Sequence, residues 1–289
     1  AGGQYRCSNS MPRLVIFILL SFFSYSSLGA DKPLRVASMS LCSDELLLLL
    51  ADRSHIISLS YLSTDPRYSS FITDNNIDLS GIYLNRGQAE EIIPLEPDLV
   101  LSSRFSASNA INLLQSFGYS ITTLEFPATL DQTFQQIEEV AMLLDEQERG
   151  EDLIQQFRNS INTTRDAFDS GRNISAIFYA NNGFSYGANT LHDNFLSSLG
   201  INNLASAHGL VGSGKFPLEL LVSTQPDFLI IDQASLHDEK LAQPLLHHPV
   251  LKQYFPAEKI IVLPSTLFQC AGPSLIQAYE IMAQILGGQ

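Results

Sequence analysis

The stretch Glu148-Arg-Gly-Glu-Asp-Leu-Ile-Gln-Gln-Phe-Arg-Asn-Ser-Ile-Asn-Thr-Thr-Arg-Asp-Ala-Phe168 decides how the rest of the chain is read. Leu153, Phe157, Ile161 and Phe168 recur at intervals of four or seven, with Gln, Asn, Arg and Asp between them, which predicts one long helix with a single apolar stripe. About twenty residues of helix reach about 30 Å, the span of a small domain. Leu130 to Leu144, just upstream, carries the same spacing. The long helix is expected to be a strut between two lobes; an ordinary crossover helix inside one larger sheet is the alternative.

On either side of this helical block the pattern changes. Leu34–Ser38, Ile56–Leu59, Asp98–Leu101 and Ile121–Leu124 read as buried strands, alternating with helical stretches Ser43–Ala51, Gln88–Leu95 and Ala107–Phe117. Downstream, strands at Ser175–Ala180, Asp227–Ile231 and Lys259–Leu263 alternate with helices near Leu191–Leu199, Pro217–Ser223 and Ser274–Leu286. Repeated βαβ order implies parallel sheets. The expected fold class is therefore α/β: two lobes, each a mainly parallel sheet flanked by helices, joined by one long interdomain helix. The expected boundaries are residues 31–146 for the first lobe, 147–170 for the helix and 171–289 for the second lobe.

Composition narrows the function. With 289 residues, 45% of them hydrophobic and 16% charged, the chain is long and apolar enough for two packed lobes, so disorder is excluded as its main state. A net charge of -14 has the wrong sign for neutralising phosphates, so no nucleic-acid partner is expected. Three Cys at long spacings support neither a disulfide scaffold nor a structural zinc site.

Residues 1–30 are set apart from the fold. Met11-Pro-Arg precedes the apolar run Leu14–Phe23, and Ser24–Ala30 is small and polar, the order of a secretory signal peptide and too short for a membrane span. Cleavage is expected after Gly29 or Ala30, and residues 1–10, with Cys7, stand upstream of that Met. No Cys follows the expected cut, so no acylated terminus is expected. Removing Arg6 and Arg13 and no acid takes the net charge from -14 to -16. The mature chain is expected in the periplasm, an oxidising compartment.

Five motifs occur in order: Met39-Ser-Leu-Cys-Ser-Asp-Glu-Leu, Glu90-Glu-Ile-Ile-Pro-Leu-Glu-Pro-Asp-Leu-Val, the long central helix, Glu219-Leu-Leu-Val-Ser-Thr-Gln-Pro-Asp and Cys270-Ala-Gly-Pro. Together they resemble the helical-backbone (class III) periplasmic substrate-binding proteins of ABC importers for ferric siderophores, haem and cobalamin, over Pro33 to the C-terminus. The resemblance implies a cleft between two lobes, little hinge motion, no catalysis, no cofactor beyond the iron or cobalt of the cargo, and an inner-membrane ABC permease dimer as partner. A monomer is expected. Many relatives sandwich their ligand with Trp, and this chain has none.

In open parallel sheets ligands lie beyond the carboxyl ends of the strands. The candidates placed there are Ser40, Leu41 and Cys42 after the first strand, Tyr61 and Tyr68 after the second, Tyr83 in a Gly-bounded loop, and Arg104 with Phe105. In the second lobe they are Phe184 and Tyr186, then Thr266, Phe268, Gln269 and Cys270. Aromatics with one polar end suit a bulky, partly apolar chelate, and Arg104 suits a carboxylate or an anionic chelate. Each residue also has a plain reading as a loop side chain packed on its own lobe. His55, His192, His208, His237, His247 and His248 do not gather at the early strand ends, so capture of a bare metal ion is not expected.

Glu90 and Glu219 read by themselves as helix-start carboxylates favoured by the helix dipole. The resemblance implies more: one on the tip of each lobe, meeting permease arginines.

An enzyme reading stands beside this one. Gly183-Phe-Ser185-Tyr-Gly187 matches the nucleophile elbow of serine hydrolases, with Asp232 and His247 following in the hydrolase order. Against it, Asn181-Asn182 separate the motif from the strand, whereas the elbow needs its Ser at the strand-to-helix turn.

Cys42 and Cys270, the two cysteines that survive cleavage, fall in strand-end loops of different lobes. Either they form a disulfide tying the lobes, or they line the cleft as separate thiols able to meet a soft metal. The bridge is the preferred reading, since two free thiols are unusual in exported proteins.

Overall fold

The computed structural model describes residues 1–4, 35–69, 77–168, 173–232 and 249–287. The chain divides into two units, Ala1–Asp31 and Lys32–Gln289, and everything below belongs to the second. The expected signal peptide, Cys7, His237, His247 and His248 lie outside the described residues. Among the described residues no helix is long and apolar enough to cross a membrane.

The first sheet has five strands in the order β3-β2-β1-β4-β5, all parallel: β1 Val36–Ser38, β2 Ile56–Ser60, β3 Tyr83–Asn85, β4 Leu99–Ser103 and β5 Ile121–Leu124. The second has four, β11-β10-β6-β8, also parallel: β6 Ser175–Phe178, β8 Asn202–Asn203, β10 Phe228–Asp232 and β11 Ile260–Leu263. A separate antiparallel ribbon pairs β7 Phe184–Tyr186 with β9 Ser213–Lys215. The helices, in chain order, are α1 Leu41–Leu50, α2 Ala89–Ile92, α3 Ser108–Ser116, α4 Leu130–Leu143, α5 Gln147–Phe168, α6 Leu191–Ser198, α7 Leu204–Ala207, α8 Leu218–Thr224, α9 Pro249–Tyr254 and α10 Ser274–Gly287.

Both faces of each sheet are covered, and the strands alternate accordingly. Leu99 and Leu101 join the large shared core while Val100 faces a smaller cluster with Ile92 and Leu114; in β10, Phe228 and Ile230 join the shared core while Leu229 and Ile231 face Phe216 and Leu221. Because successive strand side chains point to opposite faces, near-continuous apolar strands are what a doubly covered sheet requires.

The long helix α5 lies in the shared core, where Leu153, Ile154, Phe157 and Ile161 are buried. The Phe157 ring meets Phe134 of α4 edge-on at 5.8 Å. Gly150 is required at the α4 contact: a Cβ there would stand 2.6 Å from the Ala141 Cβ, too close for any side chain. An arginine near each end fastens the helix. Arg149 donates to the Leu50 carbonyl at 3.2 Å and pairs with Asp52 at 2.6 Å, while Arg165 donates to the Ser198 carbonyl at 2.5 Å. Thr164 donates to the Tyr279 carbonyl at 2.8 Å, pinning α5 to α10. These contacts fasten α5 to the end of α1 on one side and to α6 and α10 on the other.

The expected elements are present, with ends shifted by at most three residues. The structure adds β3, β8 and the β7/β9 ribbon. Tyr83, expected in a loop, opens β3 at the end away from the strand carboxyl termini, and Phe184 and Tyr186, also expected in a loop, are strand residues.

Candidate functional site

At the carboxyl edge of the first sheet, short polar side chains knit the loops together. Ser40 caps α1, accepting from the Ser43 amide at 3.4 Å, and its hydroxyl lies 2.7 Å from that of Ser43, which in turn lies 2.7 Å from that of Ser38. Asn85, fully buried, donates to the Ser38 and Leu59 carbonyls at 2.7 and 2.9 Å, locking the ends of β1, β2 and β3. Leu41 is buried, so of the first-loop candidates only Ser40 and Cys42 are partly exposed.

Two adjacent carboxyls lie beneath this edge. Asp44 accepts from the Ser60 amide at 3.1 Å and the Ser63 hydroxyl at 2.5 Å, and burial still pushes its pKa up to about 7. Glu45 accepts from the Ser274 hydroxyl of α10 at 3.2 Å; burial, with a smaller push from Asp44, raises its pKa to about 8. Burial dominates because a carboxylate removed from water costs more than two or three hydrogen bonds return.

Above them the edge is aromatic and basic. Tyr61 and Tyr68 are exposed, with the Arg67 guanidinium 5.5 Å from the Tyr68 ring and paired with Asp65. Arg104 stands 3.4 Å from Glu125 and 5.8 Å from the Phe105 ring, which is 78% exposed. Arg86, directly after β3, takes the place at the strand end that Tyr83 was expected to hold.

The carboxyl edge of the second sheet is apolar. Phe178, Tyr186, His192, Ile230, Leu263 and Phe268 are among the walls of a small open hollow of about 50 Å³. His192, in the first turn of α6, is stacked between Tyr186 at 3.7 Å and Phe268 at 4.5 Å. Burial drops its pKa to about 3, so the imidazole is neutral. Thr266 and Gln269 are partly exposed beside Phe268, and Phe184 on the ribbon is exposed with Lys215 4.8 Å from its ring. The absence of clustered histidines hid His192 from sequence reading; its only signal was an i+6 spacing from Tyr186, and spacing cannot reveal stacking.

The two edges meet. Cys42 and Cys270 are disulfide-bonded, with Cα atoms 4.9 Å apart, joining the first turn of α1, where Cys42 was expected in a loop, to the segment after β11, two residues past Phe268. Glu45 and Ser274 make a second contact alongside.

Glu90 and Glu219 are both exposed in first turns of short helices, and the two motifs share their backbone course: six residues on, Glu96 and Gln225 are each left-handed at φ 46°, followed by Pro-Asp and a strand. The hydrolase reading is overturned. Ser185 is a fully buried mid-strand residue whose hydroxyl donates to the Phe178 carbonyl at 2.7 Å, not an exposed nucleophile at a strand-to-helix turn.

Two parallel α/β sheets whose carboxyl edges are tied by a disulfide, the second carrying an apolar hollow, have the two-lobed form of periplasmic binding proteins. The model of the periplasmic binding protein family matches residues 36–264, and the chain belongs to that family. Among solved structures, it is similar to a possible iron-binding (periplasmic solute-binding) protein from Staphylococcus epidermidis, with TM-score 0.73 and 16% identity over 88% of this chain and 99% of that one. The periplasmic heme-binding protein RhuT from Roseiflexus matches at TM-score 0.69 and 23% identity, over 88% and 98%. The vitamin B12 binding protein BtuF of Vibrio cholerae matches at 0.63 and 16%, over 88% and 97%. At these identities the likeness establishes the fold. No curated protein sequence matches the chain significantly.

Proposed function

We propose that this protein captures a metal chelate (a ferric siderophore, haem or a corrinoid) between the two strand-end faces and delivers it to an inner-membrane ABC permease dimer. The observation that carries this reading is the apolar, aromatic hollow of the second sheet opening beside the tie to the basic and hydroxyl-rich edge of the first. A chelate with apolar faces and anionic groups matches both. On this reading the lobes are residues 31–146 and 171–289, residues 147–170 form the bridge, and a signal peptide within residues 11–30 directs a monomer to the periplasm. Ser40, Tyr61, Arg104, Tyr186, Thr266 and Gln269 are the proposed contacts, with Phe184 on the ribbon.

Glu90 and Glu219 are the proposed docking carboxylates. Their matched positions suit a two-fold partner, since rim charges steer and register docking without touching the ligand. Replacing both by Ala is expected to leave chelate affinity unchanged while abolishing uptake in cells that depend on this protein. Weakened chelate binding in the double variant, with uptake falling in proportion, would overturn the docking role.

A further inference from the structure

Neither sheet needs the cystine for its own packing. The first has an outer cluster of Val100, Ile92 and Leu114, the second one of Leu229, Ile231, Phe216 and Leu221, and both share the core around α5. The bond between Cys42 and Cys270 instead fixes the spacing of the two carboxyl edges, the first turn of α1 against the segment that leads into α10. Beside it the same two segments are joined by one side-chain hydrogen bond, from the Ser274 hydroxyl to Glu45 at 3.2 Å. Cys42 and Glu45 stand three residues apart on α1, so they share the helix face that meets this segment.

Buried cystines resist reduction, whereas exposed ones are the labile and regulatory ones. Here the two sulfurs differ. Cys270 is 3% exposed, while Cys42 is partly open at the edge, so a thiolate can approach Cys42 without the fold coming apart. Cys42 is also the second residue after the N-cap Ser40 of a ten-residue helix, a position where backbone N–H groups and the helix dipole favour a thiolate. Burial raises the pKa of Glu45 to about 8, so the carboxyl on the same helix face is neutral near pH 7 and does not oppose that charge. The Gln269 carbonyl lies 3.6 Å from the Cys42 sulfur, within reach of an S–H once the bond is open.

We propose that Cys42–Cys270 is a redox-operated latch between the two strand-end faces, opened by a dithiol protein that shares its compartment. One thiolate of the reductant attacks the Cys42 sulfur; the S–S bond breaks, and its electron pair leaves on the Cys270 sulfur, which takes up a proton. The second thiol of the reductant then attacks the mixed disulfide and expels the Cys42 thiolate, the leaving group that the start of α1 favours. Two electrons and two protons have passed to the cystine, and the reductant is left as a disulfide. What then holds α1 to the start of α10 at this point is the Glu45–Ser274 hydrogen bond, which a separating seam can break. The latch is independent of which cargo the faces hold.

The test treats the folded chain without residues 1–30 with dithiothreitol in the absence of denaturant and counts alkylated thiols by mass. Two thiols are expected to appear at a rate proportional to dithiothreitol concentration, with the far-UV circular dichroism retained. A rate independent of dithiothreitol, or reduction seen only with loss of the dichroism, means that the bond opens only through unfolding and overturns the latch. Amide hydrogen exchange reads the opening itself: residues 38–46 and 268–276 are expected to exchange on the order of tenfold faster after reduction, with residues 108–124 unchanged. Cys42→Ser with Cys270→Ser is expected to match the reduced wild type, which supplies the same measurement should the double variant not fold. Equal protection of the seam in oxidised and reduced wild type overturns the proposal, since the bond would then join two edges that do not part.

Discussion

At the carboxyl edge of the first sheet stand hydroxyls, buried carboxyls and guanidinia: Ser38, Ser40 and Ser43, Asp44 and Glu45, Arg67, Arg86 and Arg104. At the corresponding edge of the second stand Phe178, Ile230, Leu263 and Phe268 around a neutral imidazole. Both sheets are parallel and share the left-handed residue before Pro-Asp, although the first has five strands and the second four with an added ribbon, and the side chains at the two edges differ in kind. The difference teaches that the faces are not interchangeable halves of a symmetric clamp. One is suited to anionic groups and the other to an apolar surface, which on the proposed reading would orient the cargo.

The tie between the faces is where the comparison breaks most easily. Closing a loop of 228 residues restricts the unfolded chain by about 5 kcal/mol in the chain-entropy model. Cys42→Ser with Cys270→Ser is expected to lower the melting temperature by on the order of 10 °C, and dithiothreitol is expected to do the same to wild type and not to the double variant. Alkylation of both cysteines without prior reduction would show the bond to be absent in solution.

A smaller effect sharpens the electrostatic side. Glu45, with a folded pKa of about 8 against an ordinary 4.5, binds a proton in the folded state that the unfolded chain has released between those values. Stability contributed this way is full below about pH 4.5 and is lost as pH rises toward 8, with a slope approaching 1.4 kcal/mol per pH unit for one proton. Asp44 acts in the same direction between 3.8 and about 7. His192 opposes them, since its depressed pKa adds stability as pH rises from about 3 to 6.5. Glu45→Gln is expected to keep the Ser274 contact and flatten the decline from pH 5 to 8 in a melting series. An unchanged pH profile would mean that this carboxyl is ionised and solvated.

Legibility followed length and period. The βαβ order and α5 could be read because apolar runs and a four-residue stripe survive in one dimension. Edge elements were missed for a physical reason: β3 and β8 are three and two residues long with few buried side chains, too short to show alternation. Phe184 and Tyr186 flank a buried Ser185 in a Gly-bounded stretch that reads as a loop, and their partner β9 lies twenty-seven residues on. The burial of Asp44 and Glu45 ran against the usual surface location of acids. In their helix nothing but the packing of α10 and β2 makes them interior. Arg86 was passed over because the strand before it was not recognised, and His192 because its neighbours come from β7 and the β11 loop.

The most direct measurement of the central claim is a binding titration of the chain without residues 1–30 against haemin, cobalamins, cobinamide and a series of ferric siderophores, followed by tyrosine fluorescence and ligand absorbance. The account predicts saturable one-to-one binding of at least one chelate with a dissociation constant on the order of micromolar or tighter. Absence of saturable binding across the whole panel by correctly folded protein would contradict it.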